Sequence, residues 1–225
     1  DEQRFSGGLV GYFSYDSVRF VETKLGPADN KDEIGTPDIF LMLSEELVVF
    51  DNLRGTISFI INVDPREVGN LGDAQSRLDR LQNALKTPVS LPLGYSGENL
   101  GTHRFKHHFP KSEFEAAVER IKNYIVAGDA MQVVLSQRMS IDFPGDPVNV
   151  YRALRFLNPS PYMVFFDMGD HQVVSASPEI LARVEAGKIT VRPLAGTRKR
   201  GINEKEDAAL EVDLLGDQKE IAEHL

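Results

Sequence analysis

Four short groups of residues in this sequence carry side chains whose types and spacing could do chemistry. Ser177-Pro178-Glu179 sets a carboxylate beside a proline, just ahead of a strand-like run. A glutamate there can move a proton, and a glutamate near a turn can equally be solvated. Pro193-Leu194-Ala195-Gly196-Thr197-Arg198 puts a glycine and a hydroxyl in succession. Such a loop can aim consecutive N–H groups at an anion, for example a carboxylate, although the same residues also make plain turns. In Glu220-Ile221-Ala222-Glu223-His224 two glutamates three apart share a helix face and could hold a hard cation such as Mg²⁺, or simply face water. Gln132 interrupts the apolar run around Met131-Gln132-Val133-Val134-Leu135, where it faces either a pocket or the wet side of a sheet. Read alone, these groups reach no further than an α/β protein in which an acidic, metal-assisted anion site stands beside plain turns and solvated carboxylates as one reading. The sequence has no Walker loop, no dinucleotide-binding glycine signature and no zinc spacing.

The composition limits the classes open to such a site. The 225 residues are 41% hydrophobic and 26% charged, as expected of a soluble globular chain of one or two domains. There is no cysteine, hence no disulfide, no thiolate metal site and no cysteine nucleophile, which fits a reducing, cytoplasmic setting. No apolar run approaches the ~20 residues that cross a bilayer, and the first residues lack a signal-peptide pattern. The net charge of −9, with Arg198-Lys199-Arg200 as the one basic cluster, argues against nucleic acid as a partner. It also means that an anionic substrate needs local help from a cation or from backbone donors.

The elements that must position these groups follow from pattern. Gly7-Gly8 leads into an aromatic strand through Tyr15. Further strand candidates are 39–43, 47–51 and 56–63, with a hairpin loop at 51–55. Leu78, Leu81 and Leu85 fall at helical spacing within 72–85. The Pro/Gly/Ser-rich stretch 87–101 is the expected boundary between an N-terminal region, 1–100, and a second region, 101–225. Ser112 and Glu115 suggest a capping box ahead of the stripe Phe114, Ala117, Val118, Ile121 and Ile125, which Gly128 ends. A long β-like run is expected over 131–143. A helix from Pro147 to Leu157 stops at Asn158-Pro159, because a residue before proline is pushed out of the α region. Short strands are expected at 163–166, 172–175, 180–184 and 188–191. A final helical region capped by Asn203 breaks at Gly216 and runs on without a stop signal.

The four groups, in this order and spacing, resemble the chorismate-binding enzyme family. The resemblance extends through Gly7-Gly8-Leu9-Val10-Gly11-Tyr12, Ala127-Gly128-Asp129 and Asn158-Pro159-Ser160-Pro161-Tyr162-Met163, and so covers nearly the whole chain from Ser6. It implies a layered α/β fold of the α+β type, with mainly antiparallel sheets flanked by helices. It also implies Mg²⁺-assisted addition of a nucleophile to the chorismate ring with loss of the ring hydroxyl. By position, Glu179 resembles the general acid that protonates the departing hydroxyl, and Gly196 and Thr197 resemble the substrate loop. Glu223 resembles a Mg²⁺ ligand, with Glu220 beside it.

Two positions choose among family members. Members that add water hold Lys where this chain has Gln132, and an amide cannot take a proton from water at useful pH. Ammonia needs no such base, so the resemblance points to amination. Members of the folate branch, the aminodeoxychorismate synthases, typically use a Lys nucleophile where this chain has Ala195, whose methyl group cannot attack a ring. The implied reaction is therefore direct amination to anthranilate with release of pyruvate, the first step toward tryptophan. The folate-branch reaction is the rival enzyme reading. A non-catalytic module that binds tryptophan or docks an amidotransferase is the rival of another class. Ammonia would come from a glutamine amidotransferase partner, since this chain has no cysteine for that chemistry. Asn158, Pro159, Tyr162 and Met163 match a segment that binds tryptophan as feedback inhibitor. Family members are roughly twice this long, so the expectation is that these residues form part of a regulatory region and the first half of a catalytic one, inactive by themselves.

Overall fold

The computed structural model describes residues 5–27, 32–66, 69–88, 105–193 and 196–224. The expected boundary stretch and Ala195 therefore lie largely or wholly outside the described residues. The chain groups into two compact units, one formed by 1–90 with 150–225 and the other by 91–149. Among the described residues every strand pairing is antiparallel and two-stranded, interleaved with helices, in agreement with the expected fold class.

In the first unit β1 (Gly8–Phe13) pairs with β2 (Ile39–Ser44). Gly11 lies against the Phe40 carbonyl, where any side chain would collide with backbone, which accounts for a glycine inside a strand. One face of this ribbon presents Leu9, Phe13, Ile39, Leu41 and Leu43, all exposed. The other turns Tyr12 and Phe40 toward His171, with Tyr12 Oη 3.2 Å from His171 Nε2. β3 (Glu46–Asp51) and β4 (Thr56–Ile61) form the expected hairpin, closed by Gly55 N–H donating to the Asp51 carbonyl at 2.8 Å. Helix α1 (Asn70–Lys86) is tied to this hairpin by ion pairs. Arg77 Nε and Arg80 Nη2 reach Glu46 Oε1 at 2.6 and 2.9 Å, and Arg77 first among them holds the Glu46 carboxyl below the usual range.

In the second unit β5 (Lys106–His107) precedes helix α2 (Lys111–Ala127), which buries Ala117. Gly128, at φ 83°, ends the helix as expected. Its N–H donates to the Ile125 carbonyl and that of Asp129 to Tyr124, a left-handed cap that a residue with Cβ adopts only with strain. Two expectations need correction here. The helix starts at Pro110 rather than at a Ser112 capping box, so Ser112 already lies in the first turn; Pro at the start gives up an N–H that has no helical partner anyway. The run 131–143 is not one long strand. Only β6 (Met139–Ser140) is paired, with β5, and 132–138 is irregular because no strand among the described residues lies beside it to complete a ladder.

Helix α3 (Pro147–Leu157) has the expected bounds, and Asn158 N–H still donates to the Leu154 carbonyl at 2.9 Å before Pro159 stops it. In the first unit again, β7 (Tyr162–Asp167) pairs with β8 (Gln172–Ser177). β9 (Arg183–Glu185) pairs with β10 (Lys188–Thr190) through a two-residue turn in which Ala186 and Gly187 both have positive φ. The strand expected at 180–184 thus begins three residues later. Asn203 caps α4 (Glu204–Gly216), its side chain accepting from Glu206 N–H at 3.0 Å. The break before α5 (Gln218–His224) falls at Asp217, one residue past the expected glycine, because the Asp217 side chain supplies the new cap.

Candidate active site

Glu179 sits in the turn that leaves β8. The Ser177 hydroxyl fastens this turn from both sides, donating to the Glu179 carbonyl at 2.8 Å while accepting from the Glu179 N–H at 3.3 Å. Glu179 lines an open recess of about 400 Å³ with Ser177, Ile180, Leu181, Val191 and Pro193. Val191 and Pro193 belong to the chain leaving β10, which runs on to Gly196. The β9–β10 hairpin therefore brings the Glu179 turn and Pro193, the start of the 193–198 loop, to one recess.

Gly196 and Thr197 lie in irregular backbone after that hairpin. The carboxylate of Glu220, from α5, occupies the space where a Gly196 side chain would be. Two groups that the sequence lists 24 residues apart are in direct contact. Glu220 Oε2 is buried without a hydrogen-bond partner among the described residues. Glu223, one turn further along α5, is exposed.

The same loop is fastened to the joint between α4 and α5 by Arg198, whose role the sequence pattern did not single out beyond its basic cluster. Arg198 Nε donates to Asp213 Oδ2 and its Nη2 to Asp217 Oδ2, both at 2.7 Å, and Nη1 reaches the Thr197 carbonyl at 3.3 Å. The guanidinium, with its neighbouring backbone N–H groups, holds the Asp217 carboxyl below the usual carboxylate range, and the two carboxylates raise the pKa of Arg198 in turn.

Asn158, Pro159, Tyr162 and Met163 span the end of α3 and the start of β7. Tyr162 stands opposite Ser177 in the β7–β8 register and Met163 opposite Ala176, so this segment ends directly across the ribbon from the Glu179 turn. Gln132 belongs to the second unit, exposed in the irregular segment 132–138, whereas Glu179, Gly196, Thr197, Glu220 and Glu223 all belong to the first. Among the described residues no three acidic or histidine side chains stand together as a ready-made metal site. No helix among them is long and apolar enough to cross a membrane.

The family model described as chorismate binding enzyme matches residues 1–225, and the chain belongs to that family. Within it, the chain is 54% identical to anthranilate synthase component 1 of Pseudomonas putida and of Pseudomonas aeruginosa, over 99% of its own length and 45% and 46% of theirs. It is 48% identical to anthranilate synthase component 1 of Acinetobacter calcoaceticus, covering 46% of that protein. The crystal structure of anthranilate synthase component I from Streptococcus pneumoniae TIGR4 superposes with a TM-score of 0.82 at 36% identity, covering all of this chain and 48% of the other. This chain thus spans under half the length of the relatives it matches.

Proposed function

We propose that a protein of the relatives' length carrying this sequence aminates chorismate to anthranilate with release of pyruvate, in the cytoplasm. Its ammonia comes from a glutamine amidotransferase partner, and tryptophan is its feedback inhibitor. On this reading residues 1–100 belong to a regulatory region, and 101–225 form the first half of the catalytic one. Names shared with relatives at about half identity favour this reading. The observation that carries it is the contact of Glu220 with Gly196, because it joins a helix whose carboxylates would hold a cation to the anion loop, and a carboxylate substrate needs cation and donors together.

The roles follow residue by residue. Gly196 and Thr197 receive a substrate carboxylate on backbone N–H and hydroxyl donors. Glu179 gives a proton to the departing hydroxyl. Gln132 withholds a base from water, and Ala195 offers no covalent attacker, so ammonia adds directly. The residues fit Mg²⁺ in donor chemistry: carboxylate oxygens are hard ligands, and Mg²⁺ is commonly held by one or two of them with water and substrate completing the shell. Glu220, with its unpartnered buried oxygen, and Glu223 would hold it. When bound, it would offset the charge of the chorismate carboxylate against the acidic surroundings. Asn158, Pro159, Tyr162 and Met163 contribute to the tryptophan site.

The test is the product made by such a full-length protein from chorismate, ammonium and Mg²⁺. Fluorescent anthranilate and pyruvate in equal amounts are expected without any added lyase. A non-fluorescent amino product that needs a lyase would replace this reading with the folate-branch one. Tryptophan binding by a protein that turns over no chorismate would favour a non-catalytic module.

Two further outcomes belong to this reading. Gln132→Lys supplies the amine base that water requires, and the share of hydroxylated product is expected to rise about tenfold or more at fixed ammonium. An unchanged water-to-ammonia ratio would remove Gln132 from the argument. Gly196→Ala places a methyl group where the Glu220 carboxylate sits. Because the obstacle is the end of a flexible side chain, stability should change by less than about 1 kcal/mol, while the KM for chorismate rises several-fold.

A further inference from the structure

We infer that Arg198 is a positioning residue that locks helix α5 against the substrate loop, and thereby sets where the α5 carboxylates stand. The inference rests on the proposed roles of that loop and helix. Arg198 directly follows Thr197, so its backbone is part of the loop, while its side chain forks to two carboxylates, one on α4 and one at the α4–α5 break. The partners do different work. Asp213 lies on α4 and anchors the guanidinium to the longer helix.

Asp217 is the joint itself. Its Oδ2 accepts from Arg198, and its Oδ1 accepts the Lys219 N–H at 2.9 Å and, more weakly, the Glu220 N–H at 3.5 Å. One carboxylate therefore both starts α5 and ties it to residue 198. Glu220 follows within the first turn, and its carboxylate ends against Gly196, two residues before Arg198. The path from Gly196 through Arg198, Asp217 and Glu220 back to Gly196 is a closed ring of contacts. A planar fork with fixed donor directions holds such a ring, whereas a lysine, a single point charge, reaches only one carboxylate with good geometry.

The ring also explains why α5, only seven residues long, has a defined start. A helix this short gains little from its own hydrogen bonds and depends on its cap and on outside contacts. In the substituted protein the helix is free to pivot about residue 217, and the glutamate oxygens leave the loop.

The test compares the full chain with R198K, R198Q, D217N and the double variant R198Q/D217N, using Mn²⁺ as the paramagnetic probe of the carboxylate site and amide hydrogen exchange as the probe of α5. D217N keeps an oxygen able to cap α5 but loses the charge that holds Arg198. Mn²⁺ dissociation constants are expected to rise about tenfold in R198Q and R198K, as when a partner that orients a ligand is removed. D217N should lose nearly as much, and the double variant little more than either single one, because the two residues act as a unit. Exchange of amides 218–224 should speed up by a similar factor, while that of α3 stays unchanged. Unaltered Mn²⁺ affinity in R198Q and D217N, with a wild-type chain that binds Mn²⁺, would overturn the positioning role. If the wild-type chain binds no Mn²⁺, the metal reading of Glu220 and Glu223 fails instead. In that case α5 exchange alone decides the lock, and unchanged exchange in R198Q refutes it.

Discussion

Replacing Glu179 with Gln is expected to lower kcat for anthranilate formation by about 10²–10⁴-fold, the range a positioned general acid contributes, with the KM for chorismate within a few-fold of its original value. The substitution is nearly isosteric, and the amide can still hydrogen-bond within the recess. What it lacks is a proton that it can hand to a departing hydroxyl. The backbone of the turn does not depend on the carboxylate, because the Ser177 hydroxyl fastens it through the Glu179 carbonyl and N–H. A folded variant is therefore expected, and the loss belongs to chemistry rather than to folding. Steady-state kinetics with saturating ammonium and Mg²⁺ checks this. Retention of more than about a tenth of the activity would assign the acid to another residue.

Replacing Glu223 with Gln is expected to raise the Mg²⁺ concentration for half-maximal activity at least tenfold and to reduce kcat/KM for chorismate by about 10²-fold. That loss corresponds to roughly 3 kcal/mol, in line with the several kcal/mol a bound cation supplies against developing charge. Glu220→Gln should behave alike, since its carboxylate is the one lodged against Gly196, with a buried oxygen that has no partner among the described residues. The two glutamates lie one helical turn apart on α5, so either change alters the charge of the same helix face. Activity titrated with Mg²⁺ provides the readout. A variant with an unchanged Mg²⁺ requirement would place the cation elsewhere.

How much of this could be read from residues alone depended on how local the physics was. α3 was legible to the residue, since Pro147 suits a first helical turn and Asn158-Pro159 forbids continuation. Asn203 and Gly128 were legible because caps are decided within a few residues. The hairpin at 51–55 and the strands at 163–166 and 172–175 followed from runs bounded by turn residues. The segment 131–138 was misread because alternation alone does not make a strand; a neighbour must complete the ladder, and the neighbour is not encoded in the segment. The capping-box pattern at Ser112 was overridden by Pro110, which supplies a fixed φ two residues earlier. The candidate residues themselves were visible by type, but the Glu220–Gly196 contact spans 24 positions and has no periodic signature. The Arg198 fork is of the same kind, and only its membership in a basic triplet ahead of an acidic helix hinted at it.

The central claim is that a pocket with neither an amine base nor an amine nucleophile, yet with an acid and metal-binding carboxylates, receives ammonia. The most direct measurement is a crystal structure of the full-length protein with chorismate or an unreactive analogue and Mg²⁺ bound. The expected result is that the side chains of Glu179, Thr197 and Glu223 line one cavity around the ligand, with the ring carboxylate on the Gly196–Thr197 loop and the cation between it and α5. A ligand seated away from Glu179 and Gly196 would contradict this expectation.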